Sequence, residues 1–459
     1  MLSAGRSCDS SCLLFVVGCL LLEKRSYWQR AWGCAQWGVL LFPLLPTWGG
    51  VGLFLALANV WKHEYRQIIQ YPLNWGFAIW SVWLLIASSL AFKPVEAFLG
   101  LANFLPFLIF FVAFTVLIQT PQQLRRLGWI LVIPSIPVVI LGIGQILWGW
   151  TTPVAWQAIL GWVLEPQGNP PGRMASVFMY ANILAAYLVI VFILASGLWL
   201  EAIVEAFRRN VSTTHKLRWR IGFLTVAVMA NGIALILTNS RNAWGVAIAA
   251  CLAFALYQGW RWLVAVVVAA ATAVLGAAFS PSPLREWLQA IVPAYFWARL
   301  TDQLYPDRPV ALMRMTQWRF AWFLTQQRPW TGWGLRNFTP LYEQQMNLWL
   351  GHPHSLLLML TAETGIPATL LLFGLVGYIL GEGVLLLTKC PSEWEQDRLI
   401  IFSYLVAFGG CILFNSVDVT LFDLRVNTLG WLLLSGICGV VINKKRLFQT
   451  CHDRVIGNW

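Results

Sequence analysis

The sequence predicts an all-α, polytopic membrane protein with about twelve transmembrane helices and one large, partly helical periplasmic loop. Three observations carry this. First, 59% of the 459 residues are hydrophobic and only 11% are charged, whereas a soluble domain carries about 25% charged residues. Second, the mean hydropathy is +0.67, more apolar surface than a single aqueous core of this length can hide, so the bilayer must act as solvent. Third, the apolar residues fall in runs separated by short polar joints, and the basic residues fall mainly in alternate joints.

Residues 1–30 form a cytoplasmic N-terminal segment in this reading. Cys12 to Leu22 is apolar, but Glu23, Lys24 and Arg25 follow it. A signal peptide carries its charges before the apolar stretch, and the run is shorter than the about 20 residues a span needs. Residues 31–280 hold nine spans. The first two are Ala31 to Pro46 and Trp48 to Val60, followed by Leu73 to Phe92, Glu96 to Gln119 and Arg126 to Trp150. Ser176 to Leu200, Trp219 to Thr238, Asn242 to Gln258 and Arg261 to Ser280 complete the set. A polar insertion, 281–352, separates these from three further spans within 353–443: Ile366 to Thr388, Leu399 to Asn415 and Arg425 to Ile442. Residues 444–459 form a cytoplasmic tail.

Orientation follows from charge. Lys62 with Arg66, Arg125 with Arg126, the cluster Arg208, Arg209, Lys216, Arg218 and Arg220, then Arg261, Lys389 and Lys444 to Arg446 all fall on one side of a twelve-span chain. The positive-inside rule makes that side the cytoplasm, with both termini there. The net charge of +12 is accounted for by these joints, so no nucleic-acid partner is expected; the partner is the bilayer. None of the nine Cys falls in a loop assigned to the outside, which argues against a disulfide framework or structural zinc.

The opposite side carries residues that run against this bias: Arg173, Arg241 and, in the insertion, Arg314, Arg319, Arg328 and Arg336. A guanidinium offers a planar fork of donors suited to phosphate oxygens, although one beside a bilayer also binds headgroups or snorkels. The insertion is too long for a mere connection and too rich in Trp for disorder. Met313 to Thr325 reads as a helix that puts Arg314 and Trp318 on one face.

His352-Pro353-His354-Ser355 closes the insertion. A histidine at this place can serve as a general base, since its ordinary pKa lies near neutral pH; it can equally be a cap. No Asp or Cys stands beside the two histidines at ligand spacing, so no metal is expected. Glu363 follows nine residues after His354, about half a turn round from it on an unbroken helix. Gly365 and Pro367 predict a break, and Glu363 reads as a structural partner for an arginine or as a supporting site residue.

These residues together resemble the O-antigen ligase and polymerase superfamily. Asn239-Ser240-Arg241-Asn242-Ala243-Trp244-Gly245 is similar to its "SR-x-A-W" segment, and Gly172-Arg173 with Phe178 and Asn182 to its "GR…F…N" segment. Arg314 and Trp318, Pro329 to Gly334 and Asn337 resemble its long outer loop, and His354-Ser355 followed by Gly365 resembles its H-[NSQ]-x9-G signature. Ala368 stands where the signature has a second glycine. The segment with Asp418, Leu421, Phe422 and Asp423 resembles a cyanobacterial branch once labelled inorganic carbon (bicarbonate) transporters.

The resemblance implies a metal-independent, inverting glycosyltransferase of the inner membrane, with no cofactor. Its donor is a glycan on polyprenyl diphosphate and its acceptor a hydroxyl of a glycan, lipid or protein. Arg173, Arg241 and Arg314 would hold the diphosphate and His354 would activate the acceptor, supported by Ser355, Glu363, Trp318, Asp418 and Asp423. The alternative is an inorganic carbon transporter, which calls for ionisable residues or broken helices at mid-depth.

Overall fold

The computed structural model describes residues 27–208, 215–294, 297–298, 301, 309–388 and 397–456. Residues 1–26, with Cys8 and Cys12, and the basic residues Arg209 and Lys389 lie outside the described residues. Every regular element among the described residues is helical. In chain order the helices are α1 (27–41), α2 (Pro46–Gln70), α3 (Pro72–Ser89), α4 (Pro94–Gly100), α5 (Leu105–Leu117), α6 (Pro121–Val132), α7 (Ser135–Trp148) and α8 (Val154–Leu160). They continue with α9 (Ala181–Arg208), α10 (His215–Leu237), α11 (Arg241–Tyr257), α12 (Arg261–Phe279) and α13 (Leu284–Ile291). The rest are α14 (Arg314–Gln327), α15 (Phe338–Met346), α16 (Leu356–Thr388), α17 (Arg398–Ser416) and α18 (Leu424–Ile456).

Among the described residues, eight helical stretches are long and apolar enough to cross a membrane, where the sequence predicts about twelve spans. The helices at the other expected places exist. Arg241–Tyr257 is short for a span, and α2 carries Lys62, Glu64 and Arg66 within its length. The chain is a multi-pass membrane protein by its apolar helices. Prolines set many of the helix starts: α2, α3, α4 and α6 each open on Pro at their first turn, where the missing N–H costs nothing. Thr120 and Gln123 close a reciprocal capping box on α6, which fixes where that helix leaves its joint.

α9 is the centre of the bundle. It packs against α10, α17, α6 and α11, and Leu184 to Leu198 along it are almost wholly buried. α18 is buried to a similar degree and lies against α5. At one end of the bundle Arg125 of α6 binds Glu201 of α9 at 2.6 Å and Asp397, just before α17, at 2.7 Å. The guanidinium thereby ties three helix ends together.

α16 begins at Leu356, ten residues before the expected start at Ile366, and it is broken inside. Gly365 has φ 83° and ψ 165°, a conformation open to glycine. The break turns the backbone of 362–366 toward the turn that follows α14. Trp333 N donates to Ala362 O at 2.9 Å, Gly334 N to Glu363 O at 2.8 Å, and Ile366 N to Pro329 O at 2.8 Å. The insertion is thus stapled to the start of a membrane-length helix by main-chain hydrogen bonds. A small core of Ala321, Leu324, Phe338, Tyr342 and Ala362 fills the space between.

A Cβ added at Gly365 would run into the Trp330 carbonyl, on top of the strain of its positive φ. Gly365→Ala is expected to cost at least about 2 kcal/mol, read as a lower thermal midpoint of the purified protein. Gly374→Ala, where nothing lies within 4 Å of the new methyl, is the control. Equal midpoints for the two variants would refute the staple's dependence on this glycine.

Candidate active site

The site is assembled by three chain segments far apart in sequence: the 167–182 loop leading into α9, the 351–355 loop leading into α16, and the 417–423 turn between α17 and α18. Arg173 is pinned by its Nε, which donates to Thr238 O at 2.9 Å, and by Met174 N, which donates to Leu237 O at 2.9 Å. Its Nη2 donates to Asn182 Oδ1 at 2.6 Å. Asn182, in the first turn of α9, donates through Nδ2 to Asp418 Oδ2 at 2.9 Å. Asp418 Oδ1 accepts from the Val419 N–H at 2.9 Å and faces His354 Nδ1 at 3.1 Å. Arg173, Asn182, Asp418 and His354 therefore form one unbroken hydrogen-bonded series.

The series determines the histidine's tautomer. Asp418 offers only acceptors, so the hydrogen of His354 lies on Nδ1, leaving Nε2 as the ring's remaining acceptor. His354 has φ 51°, a left-handed conformation uncommon for a non-glycine residue. Its own N–H donates to His352 Nδ1 at 3.1 Å, which helps hold it there. The His352 ring lies edge-on to His354, with centroids 4.5 Å apart, and stacks near-parallel to Phe422.

Electrostatics sharpen the picture. Burial pushes the Asp418 carboxyl up, but the hydrogen bond and charge of His354, the charge of His352 and the Val419 N–H outweigh it, and the group stays below the usual carboxylate range. His352 is pushed down to about 4, first by burial and then by His354 and Arg314, against the pull of Asp418. Arg173 is lowered by burial and by nearby Arg241, against Tyr180 and Asp418. Arg241 thus lies within electrostatic reach of Arg173, and Arg314 within reach of His352.

His354, Asp418 and Asn182 line a cavity of about 690 Å³, whose other wall carries Lys93, Glu96, Thr339, Arg336 and Glu343, with Trp349 at its edge. Arg173 reaches this cavity through Asn182. Arg241 is exposed at the first turn of α11. Its neighbours are anchors: Asn242 Nδ2 donates to Phe414 O at 2.8 Å and Trp244 Nε1 to Leu235 O at 2.9 Å. Arg314 opens α14 with an exposed side chain, and Trp318 is half-buried on the same helix. Ser355 is buried and its carbonyl accepts the Met359 N–H at 2.9 Å, starting α16.

Glu363 is not in the cavity. Its carboxylate is buried and accepts the backbone N–H groups of Phe338, at 3.2 Å, and of Arg336. Asp423 also faces elsewhere. It accepts from the N–H groups of Arg425 and Val426, both at 3.0 Å, and its other oxygen meets the Arg425 guanidinium at 3.4 Å. It caps α18, while Arg425 reaches on to Val177 O at 2.9 Å. Sequence reasoning passed over His352, Lys93 and Arg336 as site residues. Lys93 and Arg336 lie far from the histidines along the chain, and nothing in their local sequence points to a shared wall.

The sequence also places no carboxylate at ligand spacing to the two histidines. The fold corrects this: Asp418 lies against both, and one ligand atom from each of the three falls within 4.8 Å of the others. The donor set nonetheless fits a cation poorly. His354 Nδ1 is taken up as the donor to Asp418 Oδ1, both Asp418 oxygens already accept hydrogen bonds, and the charges of Arg173 and Arg314 reach the cluster. The arrangement is that of a histidine oriented by a carboxylate.

The depressed His352 has a stability consequence. Its folded pKa lies below its unfolded value, so the folded state binds fewer protons as pH falls, and stability is lost between pH 6.5 and about 4. The loss from this one group reaches up to about 3 kcal/mol, and His352→Gln should flatten that part of the curve of thermal midpoint against pH. Parallel curves for wild type and variant over this window would contradict burial of a neutral His352.

Among curated proteins nothing matches the chain. Residues 224–373 match the family model described as O-antigen ligase. The matched stretch runs from α10 through the insertion into α16 and contains Arg241, Arg314, Trp318, His354 and Glu363; Arg173, Asn182 and Asp418 lie outside it and join it only in space. Its apolar helices make the chain a multi-pass membrane protein, and residues 224–373 of it are similar to the O-antigen ligase family.

Proposed function

We propose that this protein is a glycosyltransferase that moves or polymerises a glycan from polyprenyl diphosphate onto an acceptor hydroxyl. The reaction runs on the periplasmic side of the plasma membrane, with both termini in the cytoplasm. The observation that carries the reading is the Arg173–Asn182–Asp418–His354 series opening on a cavity at one end of the bundle. His354 Nε2 takes the proton of the acceptor hydroxyl. The acceptor oxygen attacks the anomeric carbon from the face opposite the lipid diphosphate, the bond from that carbon to the phosphate oxygen breaks, and configuration inverts. Asp418 stabilises the imidazolium that forms. Arg173, Arg241 and Arg314 balance the charge of the departing diphosphate. The donor is already activated and no metal enters any step.

A second cavity supports a lipid-linked donor. It holds about 140 Å³ and lies between α9, α16, α17 and α18, running from Thr420 and Asn415, next to the Asp418 turn, down to Leu434. Its lining is almost entirely apolar and includes Thr420, two residues from Asp418, which suits a polyprenyl tail whose diphosphate lies near that turn. No observation favours the inorganic carbon transporter reading.

His354→Ala in the native cell is expected to abolish one surface glycan, and Asp418→Asn to lower its formation by about 10²–10⁴-fold through the wrong imidazole tautomer. Unchanged glycan at normal protein levels would sink the reading. Gly430 lines the apolar cavity and has nothing within 4 Å of an added Cβ. Gly430→Ala, whose added methyl meets nothing, should hold the thermal midpoint, and the larger Gly430→Leu should narrow the cavity and lower glycan formation at least about tenfold. Full activity in that variant would place the tail elsewhere.

A further inference from the structure

The cavity lined by His354 and Asp418 carries two cations of its own, Lys93 and Arg336. Arg336 has φ 60°. A bulky side chain in the left-handed region is strained and persists only where the surroundings over-determine it. They do so here. The buried Glu363 carboxylate accepts the Arg336 and Phe338 N–H groups, and Gly334 N is bound to Glu363 O at 2.8 Å. Asn337 Oδ1 accepts the Lys93 N–H at 2.7 Å, and Asn337 Nδ2 donates to Leu335 O at 2.9 Å. One asparagine therefore fixes the backbone at Lys93 beside that at Arg336. Gly100 leaves room for the arginine's stem, since a Cβ there would stand 3.2 Å from Arg336 Cγ.

The charge so positioned is poorly neutralised. Arg336 Nη1 lies 3.7 Å from Glu96 Oε2, with both side chains more than 40% exposed, a pair of little energetic value. Lys93, exposed on the same wall, has no ionic partner among the described residues. Trp349 lines the cavity with 68% of its surface open, a flat apolar face of the kind that stacks on the C–H face of a sugar ring. Two cations and an indole thus share the cavity with His354, and Arg173, bound to Asn182, is not among its lining residues.

We propose that Arg336 and Lys93 bind an acidic group, a carboxylate or phosphate carried by a sugar, on the acceptor glycan, with Glu96 as the resting counter-ion that the substrate displaces. The proposal rests on the transferase reading and adds that the acceptor is anionic. A charge-assisted hydrogen bond to such a group is lost with the side chain, and its loss reads as about a 10–100-fold drop.

The test uses the full-length protein in its native cell. The glycan lost on His354→Ala is isolated from wild type and examined by anion exchange, then by uronic-acid and phosphate assay, which separates the two sources of charge. An acidic glycan is expected and a neutral one overturns the proposal. Arg336→Gly removes the side chain while relieving the backbone, so the protein should fold at least as well, yet the acidic glycan should fall by about 10–100-fold. Normal glycan in that variant also overturns the proposal. Binding of inorganic pyrophosphate to the purified protein should be the same in wild type and Arg336→Gly; a tenfold loss would reassign Arg336 to the donor. If His354→Ala removes no glycan, the transferase reading itself fails and this inference falls with it; a neutral glycan fails the inference alone.

Discussion

Asp418 is 5% exposed, and an ionised carboxylate so far from water is costly unless its lone pairs are filled. Asn182, the Val419 N–H and His354 fill them. That requirement draws the first turn of α9, the 417–423 turn and the loop before α16 to one point. It also settles which nitrogen of His354 carries the hydrogen. Arg173 is part of the same constraint: without its donation to Asn182 Oδ1, the amide would be free to flip and present the wrong atom to the carboxylate.

The opposite end of α9 obeys the same logic with the signs exchanged. There the half-buried Arg125 is the central charge and Glu201 and Asp397 are its ligands. Asn182 and Glu201 lie about five turns apart on α9, roughly 28 Å, close to the about 30 Å of a bilayer's hydrocarbon. Each polar knot sits where the chain leaves the apolar layer. Between them α9 presents Leu, Ile, Val and Ala to its neighbours, so its height in the bundle is set at both ends and left to shape complementarity in the middle.

Much of the fold was legible in the sequence because a helix in lipid must be apolar over its whole length and the joints must be polar. Arg241, Asn242 and Trp244 were legible as a motif, and the structure adds that Asn242 and Trp244 anchor while Arg241 faces out. The start of α16 was not legible. Leu356 to Thr364 is as apolar as a span, yet it faces the insertion, and only the Gly365 break separates the two roles. Asp418 against His354, and Glu363 against the Arg336 backbone, were also hidden, since both depend on contacts between segments whose spacing along the chain carries no signal. Asp423 shows the converse: the resemblance of its segment grouped it with Asp418 as a supporting residue, but one turn of chain sends it to cap α18.

The staple between the insertion and the broken start of α16 couples two things that loops normally keep apart. His354 lies two residues before α16, and Arg336 follows the turn bound to its kink, so these two lining residues ride on the same membrane-length rod. Hydrophobic mismatch tilts such rods at a modest cost. In this protein a tilt of α16 carries His354 and Arg336 together against Asn182 and Asp418, which are fixed to other segments. Bilayer thickness is therefore a variable of the site's geometry, and lipid composition belongs among the conditions that set it.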